Sequence, residues 1–320
     1  MPAAELPNLH AGRKIALKTG DIGMRAIVTA AFAAVLLGSQ TAHAAPAAGF
    51  AVGPQYDSTH VYVAAEDFDR FVASVIATFG GTASKEGVFQ VTPTPSQTMS
   101  QAILTPAGIF SVFGFKTPIP YPFGLERTGY LVTDLDKATK AARAAGADVI
   151  VAPFPDPIGR DAIIQWSGGV GMQLYWHTTA PHYPALANVP ENRVYVSPDR
   201  AALFVADFIR FAHGRIVSDD ARAPGIEIGR AGETYRRIRI ESGFGKMVVM
   251  VSDGHLPWPY GREVTGYEVA DLDATLAKAK AAGVSVLVAP FDADGRVSAL
   301  VQFPGGYIAE VHATSPAADR

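Results

Sequence analysis

The sequence predicts an α+β protein made of four βαβββ modules, arranged as two tandem copies of a two-module unit. Three observations lead there. Residues 128–154 (TGYLVTDLDKATKAARAAGADVIVAPF) and 265–291 (TGYEVADLDATLAKAKAAGVSVLVAPF) match without gaps at 16 of 27 positions, a self-similarity that marks an internal duplication. Within each copy the order strand, helix, run of strands occurs twice, which argues for antiparallel-rich sheets rather than a doubly wound parallel sheet. The 320 residues are 48% hydrophobic and 18% charged, with 31 Gly and 23 Pro. That is too apolar for disorder and too often punctuated for a helical bundle.

Taken in order, 59–64 (THVYVA) reads as a strand, and Glu66-Asp67 lead into an amphipathic helix over 67–79 that stops at Gly80-Gly81. Alternating apolar segments at 101–105 and 109–115 follow as strands. The pattern then restarts with a strand at 128–133, a helix opened by Asp134-Leu135-Asp136 and running to Ala145, and Gly146 as its stop. Short strands at 148–152, 161–166 and 171–176 complete the first copy. The second copy repeats these marks. PIPYPFGLER (118–127) is answered by LPWPYGREV (256–264), with Gly124/Gly261 and Glu126/Glu263 equivalent, and QWSGG (165–169) by QFPGG (302–306). The early part repeats more faintly, HVYV (60–63) as RVYV (193–196). The domains are therefore expected at 56–178 and 191–313, with a linker at 179–190 and a tail at 314–320.

Ahead of the repeats, residues 26–37 (AIVTAAFAAVLL) form an apolar run preceded by Arg13, Lys14, Lys18 and Arg25 and followed by Ala42-His43-Ala44. A basic region, a short apolar core and a small-x-small step describe a secretory signal peptide over 1–44, with Met24 as an alternative start. The rival reading, a membrane anchor, needs a longer span of ~20 apolar residues. Cleavage after Ala44 removes four basic and two acidic residues, taking the net charge from −3 to −5. A periplasmic or secreted protein is expected.

This charge argues against a general nucleic-acid binder. The absence of cysteine rules out disulfides, zinc–thiolate and iron–sulfur sites, a cysteine nucleophile and a lipoprotein anchor. No H-E-x-x-H, G-x-S-x-G, phosphate-binding Gly-Lys-Ser/Thr loop or dinucleotide fingerprint occurs.

The strand-to-helix step TGY-x-V-x-DLD, the AAGADV/AAGVSV turn after the helix, and a GG pair before a last strand ending MQLYW or IAEVH together resemble the glyoxalase/bleomycin-resistance/extradiol-dioxygenase group, the vicinal oxygen chelate superfamily. The resemblance covers nearly all of 56–313. It implies paired modules curling into half-open barrels, with one divalent metal ion inside held by first and last strands of modules. Carried onto this chain, those positions are His60, Thr128, Arg193 and Thr265 on first strands, and Gln173 and Glu310 on final strands. The remaining family position falls near 110–113 and 247–250, which offer no carboxylate. Arg193 has no lone pair to donate. A dioxygenase site of two His and one carboxylate is not present at these positions.

Module pairing decides what these residues do. If neighbours pair, His60, Thr128 and Gln173 share one site and Arg193, Thr265 and Glu310 the other. If the first module pairs with the fourth, His60 meets Glu310 near Thr265, and a metal site held by His60 and Glu310 becomes feasible, with either as proton carrier. Arg193 either anchors an anion or pairs with Glu310. Tyr121 and Trp258, on Pro-stiffened loops, are candidates to line a ligand pocket. Two functions follow: a metal-assisted glyoxalase-type lyase or isomerase acting on a small oxygenated molecule, or a metal-free small-molecule binder like the bleomycin-resistance branch. The expected partner is a small molecule, with no membrane after cleavage, on a monomer or homodimer.

Overall fold

Each module opens with a strand whose side chains alternate between a helix-covered face and an inner face. The computed structural model describes residues 49–315, so the predicted leader and its cleavage site lie outside the described residues. The first module holds β1 (Ser58–Tyr62), α1 (Phe68–Phe79), β2 (Thr82–Ala83), β3 (Gly87–Phe89), β4 (Thr98–Thr105) and β5 (Gly108–Phe115). The second holds β6 (Thr128–Leu131), α2 (Leu135–Ala144), β7 (Asp148–Asp156), β8 (Gly159–Gln165) and β9 (Gly171–His177). The third has β10 (Glu191–Val196), α3 (Pro198–Ala212), β11 (Arg215–Pro224), β12 (Thr234–Ser242) and β13 (Gly245–Val251). The fourth has β14 (Val264–Glu268), α4 (Leu272–Ala281), β15 (Ser285–Ala293), β16 (Arg296–Gln302) and β17 (Ile308–Thr314).

The duplicated DLD step acts as a helix start in both copies. Asp134 accepts from the Lys137 amide (3.0 Å) and Asp271 from the Ala274 amide (2.9 Å), each satisfying an otherwise orphaned first-turn donor. The chain leaves α1 through Gly80, at φ 77°, a conformation that favours glycine. Among the described residues no helix is long and apolar enough to cross a membrane.

Strands β1–β9 form one sheet, in the order β2-β4-β5-β1-β6-β9-β8-β7 with β3 on β4, and β10–β17 form a second, in the order β11-β12-β13-β10-β14-β17-β16-β15. Each sheet is thus continuous through neighbouring modules. The helical layers pair differently. Phe71, Phe79 and Phe110 of the first module meet Tyr267 and Phe303 of the fourth, while Trp166 of the second packs on Phe208 and Phe211 of α3. Two separate apolar clusters result, in which each fully buried ring contributes roughly 1.5–3 kcal/mol. The first and fourth modules therefore meet back to back through helices, not over a shared inner face.

Between the sheets runs a polar seam. Thr59 and Thr265 share a hydrogen bond of 3.0 Å, Tyr267 donates to Thr59 (3.0 Å), and Asn192 donates to the Tyr130 hydroxyl (3.3 Å). Glu263 lies in this seam beside Thr128 (3.4 Å). Burial pushes its carboxyl up to about 8, against the opposing pull of Arg127. A carboxyl raised in the fold contributes stability that is complete below its unfolded value and is lost as pH climbs towards the folded one. Thermal midpoints should accordingly fall between about pH 4.5 and 8, and Glu263→Gln should flatten that part of the profile; an unchanged slope in the variant would contradict the assignment.

Candidate functional site

Strand register decides which residues face inward. His60 lies opposite Ser111, and Gly129 opposite Gln173; in the second sheet Arg193 lies opposite Val248, and Gly266 opposite Glu310. These are the four central positions of each inner face. Thr128 and Thr265, the expected inward residues, point the other way, because side chains alternate along a strand with period two. Thr128 pairs with Thr59 in the register of β1 and β6, and both threonines end in the seam. Glycine occupies the inward position instead. Aligning Thr59-His60 with Thr128-Gly129 in the sequence would have exposed the shift of one residue.

Gly129 and Gly266 are cradles. A Cβ at 129 would collide with His60 Nε2, and one at 266 would stand 2.7 Å from Glu310 Oε2 and 3.1 Å from Arg193 Cδ.

The first inner face encloses a cavity of ≈ 280 Å³ lined by, among others, His60, Phe113, Asp161, Gln173 and Tyr175. His60 is buried, and its Nδ1 stands 3.8 Å from Glu126 with no hydrogen-bond partner. Its ring stands edge-on to Phe113, and Tyr62 stacks on the same ring (centroids 5.3 and 5.2 Å). Tyr62 donates to Glu126 Oε1, while Oε2 of that buried carboxylate has no partner. Burial, reinforced by Asp156 and then Glu126, holds the Asp161 carboxyl well above its ordinary range. Asp161, Glu126 and Tyr175 were not among the candidates. A charged residue within the apolar run DAII (161–164) was the available signal for Asp161.

The second inner face is filled by charge. Arg193 Nη1 stands 3.0 Å from Glu310 Oε1, off the direct hydrogen-bond line, and His312 Nδ1 stands 2.7 Å from Oε2. Burial raises the Glu310 carboxyl, but Arg193 and then His312 outweigh it and hold it below its usual value. Arg296 reaches Glu191 at 3.0 Å, and Arg237 reaches Glu227 at 2.5 Å. Burial likewise pushes Glu191 up, and Arg296 with Arg193 brings it down to about 2. Arg296 and Arg160, each following a glycine, are not equivalents: Arg296 faces inward, whereas Arg160 pairs with the exposed Asp136 (2.9 Å).

His60 and Glu310 thus belong to different inner faces, and Glu310 meets a guanidinium. A metal held jointly by the two does not fit this structure. Nor does either set of four positions fit one alone: the first offers an imidazole, a hydroxyl, a glycine and an amide, the second an arginine, a valine, a glycine and a committed carboxylate. A divalent ion wants three or four N or O ligands, and the described residues contain no group of three or more His, Cys, Asp or Glu arranged for one. Tyr121 and Trp258 are 77% and 62% exposed and line neither the first inner cavity nor the small pocket at the seam.

The chain has the fold of the vicinal oxygen chelate superfamily, with two tandem modules per sheet. It is similar in structure to a mutant of 4-hydroxymandelate synthase from Streptomyces coelicolor (TM-score 0.56, 12% identity, covering 84% of this chain and 93% of that one). It is also similar to a xylose isomerase-like TIM barrel/4-hydroxyphenylpyruvate dioxygenase fusion protein (0.53, 13%, 85% and 50%). A mutant of homoprotocatechuate 2,3-dioxygenase from Brevibacterium fuscum is similar as well (0.53, 10%, 83% and 73%). No protein-family model and no curated protein matches the chain. At these identities the likeness is one of fold.

Proposed function

We propose that this is an exported small-molecule binding protein of the bleomycin-resistance kind, which holds its ligand in the first inner cavity without a metal at the four central positions. The observation that carries this reading is the division of labour between the two faces. One keeps an open, polar and aromatic cavity; the other is closed by its own ion pairs. The metal-assisted lyase or isomerase required His60 and Glu310 in one hollow, and that premise is absent. Export rests on the leader pattern of residues 1–44.

Metal analysis of the purified protein tests the reading. The expected result is no stoichiometric divalent ion, with a thermal midpoint unmoved by excess zinc, nickel or manganese. A stoichiometric ion retained through purification and lost in His60→Ala would overturn it and restore the metal-assisted alternative.

A further inference from the structure

Six acidic residues are buried as whole residues among the described ones, Glu126, Asp161, Glu191, Asp207, Glu227 and Glu310; the desolvated carboxyls of Glu263 and Asp57 belong to the seam, beside Thr128 and the Leu131 amide. Four of the six face an arginine: Glu191 meets Arg296, Asp207 meets Arg210, Glu227 meets Arg237 and Glu310 meets Arg193. Of the two without one, Asp161 lines the first cavity and Glu126 stands behind its wall. Asp161 is 5% exposed, lines that cavity, and its side chain makes no hydrogen bond or ion pair within the described residues. Glu126 lies behind Tyr62 and His60 with Oε2 unpartnered.

We propose that the ligand of the first cavity is an organic cation, a protonated amine on a compact, partly aromatic body, with Asp161 as its counter-ion. This rests on the binding reading above and names the class of molecule bound. A buried carboxylate without a partner is destabilising, and a positive charge relieves it. The second half of the chain supplies that charge from within, with Arg193 at the position that His60 occupies in the first. The first half places no buried cation in the cavity lining: Lys85 there is an exposed residue, and the half-buried Arg127, 5.9 Å over the Tyr62 ring, is not part of that lining. The other titratable groups around the cavity that Asp161 lines are Asp156 on β7, Glu126 before β6, His60 and Tyr62 on β1, Tyr175 and His177 on β9, and Tyr183 beyond β9. The acids outnumber Lys85, and burial lowers the His177 imidazole's affinity for a proton, against the opposing effect of Asp156. Aromatic faces on the same wall suit a cation, which ring quadrupoles attract, and give an apolar body something to stack against. Tyr62 and Phe113, already stacked on one another, provide such a wall.

Three matched probes separate the possibilities: 2-phenylethylamine, 2-phenylethanol and phenylacetate, titrated calorimetrically into the purified protein and into Asp161→Asn. The amide keeps the size and shape of the carboxyl, and retention of alcohol binding by the variant reports an intact cavity. The amine is expected to bind about 10–100-fold more tightly than the alcohol, the range of a charge-assisted hydrogen bond. Phenylacetate should bind weakest, and Asp161→Asn should bring the amine to the level of the alcohol while leaving the alcohol unchanged. Binding of alcohol or carboxylate as tight as that of the amine, or an amine preference that survives in Asp161→Asn, overturns the proposal and leaves the binding function standing. If no probe binds, the binding function falls and the proposal falls with it.

Discussion

Arg193→Met is expected to destabilise the protein by about 3–5 kcal/mol, the usual consequence of removing one member of a buried ion pair. The guanidinium is buried, 3.0 Å from Glu310, and its charge helps to hold down both Glu310 and Glu191. Without it, the fully buried Glu310 keeps His312 and the charge of Arg296, and Glu191 keeps Arg296 and His312. Desolvation then dominates at Glu310, so its carboxyl rises and the variant should lose most stability at neutral and higher pH. The double variant Arg193→Met/Glu310→Met removes both charges and fills the space with apolar atoms. It should regain most of the loss, since replacing a whole buried pair by well-packed apolar groups is often neutral or better. Urea unfolding of the two variants beside the parent measures this. If the double variant is as unstable as the single, the pair is not the source of the effect.

The contrast between the two faces could be read from the sequence only in part. The duplication, the repeated strand-helix order and the ends of α1 and α2 were legible because they depend on local chemistry. Asp134 and Asp271 cap helices wherever the chain goes, and Gly80 and Gly146 end them through backbone freedom. Module pairing was not legible, because it depends on contacts between residues far apart in the chain. Phe71 of α1 packs on Phe303 beyond β16, and nothing near either ring specifies the other. The inner-face residues failed at a finer step. Placing Thr128 and Thr265 inward was an error of one residue, and in a strand one residue reverses the face. The pairing of Arg193 with Glu310, by contrast, was among the readings already open, since a carboxylate in an apolar strand demands a partner.

Gly129→Ala and Gly266→Ala form the second test, because they place the same methyl group at equivalent points of an open face and a filled one. Both glycines lie in strands, Gly129 in β6 and Gly266 in β14, and neither has positive φ. Alanine is therefore allowed by the backbone at both, and the outcome depends on whether neighbours yield. At 266 the methyl group meets Glu310 and Arg193, which are fixed to each other and, through Glu310, to His312. Nothing there can move without breaking an ion pair, so a loss of about 1–3 kcal/mol is expected, as for overpacking in a filled core. At 129 the methyl group meets the His60 imidazole and, at 2.9 Å, Tyr175 Cε1. The Tyr175 hydroxyl is tied to the Tyr56 carbonyl and must tilt, but His60 makes no hydrogen bond through its side chain and borders open space. Its ring swings into the cavity, so the stability loss at 129 should be the smaller of the two, while the space left for a ligand shrinks. Unfolding midpoints of the two variants, read beside titration of the first with 2-phenylethylamine, give both quantities. Equal stability losses, or undiminished amine binding in Gly129→Ala, would mean that the first face is not the open one.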